Sequence, residues 1–318
     1  MGFDHLTITS CFHRKDIRAV LSISGHRWCR IATRKLTCDP ALIERLRLLR
    51  IHQAVNVSCS FFNPVSMSAS GWNYAEEMTG LVWDGYVNAR DLGGFPTALS
   101  STGVTVPGRI ARGPRRERLT AAGWDDARAW GLASVVDLRC TYEVGQGADD
   151  PVISDEVLSG FAIVNAPTED QDDPEFMEIC VPILDSPEYW AHNWRLQPEL
   201  VRGALEAIAS AQPGTLVHCS AGRDRTGMIS ALLLGNAGVD PNAVAADYAA
   251  SVHAMATVAQ LAPGVDPQTT RSRKEVDEWM LDKLPIVRDT ATRAAAIFDL
   301  LGVSGTTRTR LRAILIEQ

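Results

Sequence analysis

The stretch HCSAGRDRTG, His218 to Gly227, puts one thiol, two guanidinium groups, one carboxyl group and two hydroxyls into a single loop. Apolar Thr215-Leu216-Val217 leads into it and Met228-Ile229-Ser230-Ala231-Leu232-Leu233-Leu234 leads out, the pattern of a buried strand followed by a buried helix. Backbone N–H groups of such a loop curl into a nest, and the helix points the positive end of its dipole at the same spot. The ligand this suits is a tetrahedral dianion. The amides of Ser220, Ala221, Gly222 and Arg223 would hold it, and Arg225, six residues after Cys219, would grip two of its oxygens with a planar fork. In that field a thiol whose pKa starts near about 8.5 is brought to roughly 5. A thiolate held there attacks phosphorus and forms a cysteinyl-phosphate that water hydrolyses. Thr226 would donate its hydroxyl to the departing thiolate, and His218 would orient the loop rather than act as a base. Cleaving a P–O ester also needs an acid for the leaving oxygen. Asp224 is the first choice and Asp185 the second. This chemistry requires no metal and no cofactor.

A strand, a loop and a helix must present these groups, and the flanking sequence supplies more of the same alternation. Asn88-Ala89-Arg90-Asp91-Leu92-Gly93-Gly94 is a polar turn after the apolar stretch from Leu81 to Val87. Asn88, Arg90 and Asp91 are expected to brace the phosphate loop by hydrogen bonds. Arg109–Arg112 reads as a short strand and Ala121–Trp130 as a helix stopped by Gly131. Ser134–Leu138 and Phe161–Val164 read as buried strands. Asp137 and Arg139 fit a structural ion pair or loop anchor. Pro198–Ala211 is helical, and the tail from Pro241 onward is helical with a capping box at Ser272. Strands alternating with helices predict an α/β fold: a central, mostly parallel sheet flanked by helices on both faces, with a helical C-terminal part. The acidic, aromatic segment from Asn165 to Trp194 reads as a mobile cover over the site, with an inert solvated loop as the alternative.

The 318 residues carry a net charge of −7, unevenly distributed. Residues 1–66 hold ten Lys and Arg against four Asp and Glu; the remainder is acidic. We expect a basic N-terminal extension over 1–66 that need not be well ordered, a linker over 67–79 and a catalytic domain over 80–318. Asp39-Pro40 opens a basic amphipathic helix in the extension, and His26, Cys29 and Cys38 do not have trustworthy zinc-ligand spacing. No apolar run is long enough to span a membrane, and seven cysteines without a C-x-x-C pair suit a reducing compartment. The expectation is a soluble, cytoplasmic protein. An acidic domain with no basic stripe excludes a nucleic-acid partner. Oligomeric state is not legible.

His218-Cys219, Gly222 and Arg225-Thr226-Gly227 resemble the signature of the cysteine-dependent protein tyrosine phosphatase superfamily. More narrowly, the chain resembles the bacterial tyrosine-protein phosphatase family. That family pairs such a loop with an N-x-R-D-L-G-G segment, here Asn88 to Gly94, and with V-V-D-L-R, here Val135 to Arg139. Ala246-Asp247-Tyr248 looks like the family's next element, and residues 1–66 lie outside the resemblance. It implies a phosphatase fold, Cys219 as nucleophile, Arg225 closing the phosphate loop and Asp224 ahead of Asp185 as general acid. The implied partners are phosphotyrosine proteins or peptides, with phosphoserine, phosphothreonine and phosphoinositides open. Relatives often carry lysine, connected with phosphoinositide activity, where this chain has the bulkier Arg223. The alternatives are a non-catalytic phospho-binding module and a rhodanese-type sulfurtransferase; the latter does not need Arg-Thr-Gly at this offset. A nucleotide P-loop is excluded, because Met228-Ile229 stands where Lys-Ser/Thr is required.

Overall fold

The computed structural model describes residues 79–261 and 271–317, with side chains for 79–257 and 271–317, and the backbone of 6–13, 16–23 and 29–30. The chain divides into two units, Met1–Val65 and Ser66–Gln318. In the first, β1 (Leu6–His13), β2 (Asp16–Ile23) and β3 (Cys29–Arg30) form an antiparallel sheet in that order. The helix expected from Asp39 and the side chains of His26, Cys29 and Cys38 lie outside the described residues.

The second unit is built on five strands: β4 (Arg90–Asp91), β5 (Ile110–Gly113), β6 (Ser134–Asp137), β7 (Ala162–Asn165) and β8 (Thr215–His218). Their order is β4-β5-β8-β6-β7. β5, β8, β6 and β7 run parallel, and β4 pairs antiparallel to β5 at one edge. The expected mostly parallel α/β sheet is therefore present. β8 is central, and all four of its residues are buried between β5 and β6.

Successive side chains along a strand face opposite ways, and each face has its own cover. Ala111, Val135 and Leu216 pack with Leu119 and Trp124 of the segment leading into and forming α1 (Ala121–Trp130). Ile110, Val136 and Val217 pack on the other face with α5 (Pro198–Ser210) and α6 (Asp224–Asn236). Helix α1 starts where Thr120 accepts from the Gly123 N–H at 3.1 Å and stops at left-handed Gly131, as its sequence requires. Helix α6 is apolar around nearly its whole circumference because α7 (Pro241–Leu261), α8 (Arg273–Thr292), α9 (Ala294–Leu300) and α10 (Gly305–Ile316) surround it. The capping box at Ser272 is formed. Among the described residues no helix is long and apolar enough to cross a membrane.

Two expectations need correction. Strand β7 is not buried: it is the last strand of the sheet, and all four of its residues are exposed. The segment from Asn165 to Trp194 is not a loose loop. It folds into α3 (Pro174–Cys180), a 3-10 turn at Val181–Ile183 and α4 (Tyr189–Leu196), preceded by a four-residue helix α2 (Asp155–Leu158). Its aromatic residues are the reason. Phe176, Tyr189, Trp190 and Trp194 are buried in the core, while Val181, Leu184, Asp185 and Tyr189 of the segment still line the cavity that holds Cys219.

Candidate active site

Strand β8 ends at His218, and the first turn of α6 begins at Asp224, so residues 219–223 turn at the C-terminal edge of the sheet. Ligands of open parallel sheets bind at this edge. The curl depends on Gly222, whose φ is +70°; a Cβ there would come within 2.4 Å of the Gly113 backbone. Gly227 is required for a different reason. Its missing side chain lets the Tyr248 ring pass, since a Cβ would lie 2.8 Å from Tyr248 Cδ2. Tyr248 also stacks edge-on against Trp190, with ring centroids 5.6 Å apart.

The loop is tied down from behind. Asn88 donates from Nδ2 to the carbonyls of Ala221 and Gly222 at 3.1 and 3.3 Å, from a left-handed backbone with φ 77°. Arg90 donates to Asn88 Oδ1 at 2.5 Å, to Asp247 Oδ1 at 2.8 Å and to Ser251 Oγ at 2.5 Å. Arg112 donates to Asp247 and, at 2.7 Å, to the Gly222 carbonyl. Burial alone would raise the Asp247 carboxyl, but the Arg112 and Arg90 charges outweigh it and hold it below its ordinary range. Asp91, expected to join this brace, does something else. It accepts from Gly93 N–H at 2.7 Å, Gly108 N–H at 2.8 Å and Trp130 Nε1 at 2.9 Å, and so pins the turn after β4 to the end of α1.

Asp137 and Arg139 form a structural network, with Arg139 on Asp137 Oδ2 at 2.6 Å, on Glu117 at 2.7 Å and on the Glu143 carbonyl at 3.1 Å. His218 is fully buried, which lowers its pKa to about 4, so the ring is neutral near neutral pH. Its Nδ1 lies 3.0 Å from the Cys219 carbonyl. A carbonyl only accepts, so Nδ1 carries the proton. His218 thus fixes the backbone at Cys219. Thr226 is fully buried and its hydroxyl has no hydrogen-bond partner, so the contact expected between it and the sulfur is absent.

Cys219, Ser220, Ala221, Arg223, Asp224 and Arg225 line one cavity of about 520 Å³, which Asp185 also reaches. Arg225 is held by a residue the sequence reading did not single out: Glu143 accepts from both of its terminal nitrogens, at 2.9 Å from Nη2. Buried Glu169 lies 3.3 Å from Nη1. The two Glu143 bonds take one hydrogen from each terminal nitrogen and leave Nε–H and one Nη2–H, on a single edge, without a partner among the described residues. That edge is a fork for two oxygens. Burial alone would raise Glu143, but the Arg225 bonds pull its carboxyl below the ordinary range. Burial raises Glu169 above its own, with the Arg225 charge opposing.

Asp224 is in a different environment from its neighbour. It accepts from Arg223 Nε at 2.8 Å and from the Tyr248 hydroxyl at 3.1 Å. Burial nevertheless raises its pKa, and the nearby Asp185 charge adds to the rise. A carboxyl that keeps its proton beyond the usual range is suited to general-acid work. Adjacent residues on one helical turn therefore supply a fixed cation and a proton-holding carboxyl.

Glu143, Glu169, Arg112, Asp247, Ser251 and Tyr248 complete this constellation. Asp247 and Tyr248 carried a signal beforehand as part of the Ala246-Asp247-Tyr248 stretch, Glu169 as part of the acidic segment read as a cover, and Arg112 only as the end of a strand.

Residues 81–317 match the sequence model of the Tyrosine phosphatase family. The chain is 31% identical over 187 residues to the triple specificity protein phosphatase PtpB of Mycobacterium tuberculosis, a span covering 51% of this chain and 65% of that one. It is 31% identical over 178 residues to a tyrosine-protein phosphatase of Nostoc commune, covering 50% and 60%. The chain thus spans just under two thirds of the length of the curated relatives it matches.

Proposed function

The chain belongs to the tyrosine phosphatase family, and on that premise we propose that it hydrolyses phosphotyrosine in proteins or peptides through a cysteinyl-phosphate. The observation that carries this reading is that Cys219 and Arg225, whose Nε/Nη2 edge has no partner among the described residues, line one cavity at the start of a helix. The Cys219 sulfur attacks phosphorus while the amides of 220–223 and the Arg225 fork hold the equatorial oxygens. As the P–O ester bond breaks, Asp224 gives its proton to the leaving oxygen. Asp224 then takes a proton from the water that attacks the phosphocysteine, releasing inorganic phosphate and the thiolate. Asp185 is the reserve acid, since it reaches the same cavity.

We infer likewise that catalysis resides in residues 80–318, following a linker over 67–79 and the basic extension, and that the protein is cytoplasmic. The free Cys140, Cys180 and Cys219 suit a reducing compartment. Phosphoserine, phosphothreonine and phosphoinositides are further substrates to try. Turnover of an aryl phosphate in the presence of chelator tests the mechanism: Cys219→Ser is expected to abolish it. Retained turnover removes the cysteinyl-phosphate. Phosphopeptide binding with no turnover by the unaltered protein makes it a phospho-binding module instead.

A further inference from the structure

The run Arg115-Arg116-Glu117-Arg118 puts four charged side chains in succession after β5. The fold treats its members unequally. Arg115 makes a two-pronged pair with Asp150 at 2.6 Å on each prong. Arg116 bonds Asp137 at 3.0 Å, and Glu117 accepts from Arg139 at 2.7 Å. These three anchors fix a 3-10 turn over Arg116–Arg118. The turn is also tied to the phosphate loop, because the Arg115 N–H donates to the Ser220 carbonyl at 3.0 Å. Only Arg118 has no side-chain hydrogen bond or ion pair among the described residues, and Arg118 lines the cavity that holds Cys219. Asp150 feels its charge but has both oxygens on Arg115.

The other cations of the cavity are engaged: Arg223 bonds Asp224, and Arg225 bonds Glu143. Val87, Val181, Pro182, Leu184 and Met255 give the same cavity an apolar part of its wall. Such a wall accommodates an aromatic ring and its neighbouring side chains rather than a polyhydroxylated headgroup. Resting on the phosphatase reading, we propose that Arg118 is a specificity residue for a second anionic group, a carboxylate or a phosphoryl, beside the phosphotyrosine of a peptide substrate. The turn fixes the Arg118 backbone, so ordering on binding is confined to its side chain.

The test compares kcat/KM on an aryl phosphate with no second anion, on phosphotyrosine peptides flanked by Ala or by Asp, and on doubly phosphorylated peptides. The unaltered protein is expected to prefer the anionic peptides about fivefold, a charge-assisted bond at a partly exposed site. Arg118→Ala should erase that preference and leave aryl phosphate turnover within about twofold, while Arg118→Lys keeps part of it. A preference unchanged in Arg118→Ala, or absent from the unaltered protein, overturns the proposal. So does loss confined to a soluble diphosphorylated inositol headgroup, which would give Arg118 to a lipid substrate. Failure of the underlying mechanism is seen separately, as aryl phosphate turnover by Cys219→Ser.

Discussion

The phosphate loop is held on two sides by arginine–carboxylate pairs, and the two sets differ. Behind the loop, Arg90 and Arg112 close on Asp247 with side-chain exposures of 3% or less. In front, Arg225 meets Glu143 at 12% and 22% exposure and keeps one edge unpartnered. A sealed set has little left to offer a ligand: Arg112 ends on the Gly222 carbonyl, and Arg90 ends on Asn88, which itself donates to the loop carbonyls. The open set has an acceptor-seeking edge left over. The same chemistry thus serves rigidity where water is excluded and binding where it is not.

Asp247→Ala should break that contrast most severely. It strands two buried guanidinium groups, and removing one partner of a buried pair costs about 3–5 kcal/mol. For a domain of this size the melting midpoint should fall on the order of 10 °C. Denaturant unfolding of Asp247→Ala against Glu143→Ala checks it, and equal losses would show that the two sets are not distinct.

Glu143→Ala is expected to act on rate instead. Glu143 is a positioning residue: it does not reach the phosphate but sets the plane of Arg225. Letting that fork swing should lower kcat/KM about 100-fold, with most of the fall in kcat because the bonds to the equatorial oxygens tighten in the transition state. Glu143→Gln should recover part of the rate, since its carbonyl still accepts from one Arg225 nitrogen. A loss confined to KM would mean that Arg225 only binds.

How much of this could be read from sequence follows from distance along the chain. His218 to Gly227 is contiguous, so the nucleophile, the arginine and the two glycines declare themselves together. Strand β8, helix α1 and the capping box at Ser272 were legible because periodicity and caps are local. Glu143 and Asp247 lie far from Arg225 and Arg112 in sequence, and tertiary packing alone chooses these acids among many. The exposure of β7 was hidden because Ala162-Ile163-Val164 has the composition of a buried strand; sheet order decides its place. Arg118 was invisible because Arg115 and Arg116 look like it in sequence and only the fold ties those two to Asp150 and Asp137.

The smallest effect is expected at Asp224, and it sharpens the comparison by giving the front of the loop a titrating member. Its folded pKa is raised above the ordinary 3.8 by burial, with Asp185 adding to the rise. The protonated form is therefore favoured by folding. This contribution to stability is fully present below the unfolded pKa and is lost as pH rises through the folded one. Asp224→Asn removes the titration, so its melting midpoint relative to the unaltered protein should climb as pH rises across that window. In kinetics, a general acid matters most when the leaving group is poor. Asp224→Asn should slow an alkyl phosphate about tenfold more than an activated aryl phosphate and erase the basic limb of the pH profile for the former. Equal slowing of both substrates, with the limb intact, would assign the proton to Asp185 and leave Asp224 as the residue that holds Arg223 and Tyr248 in place.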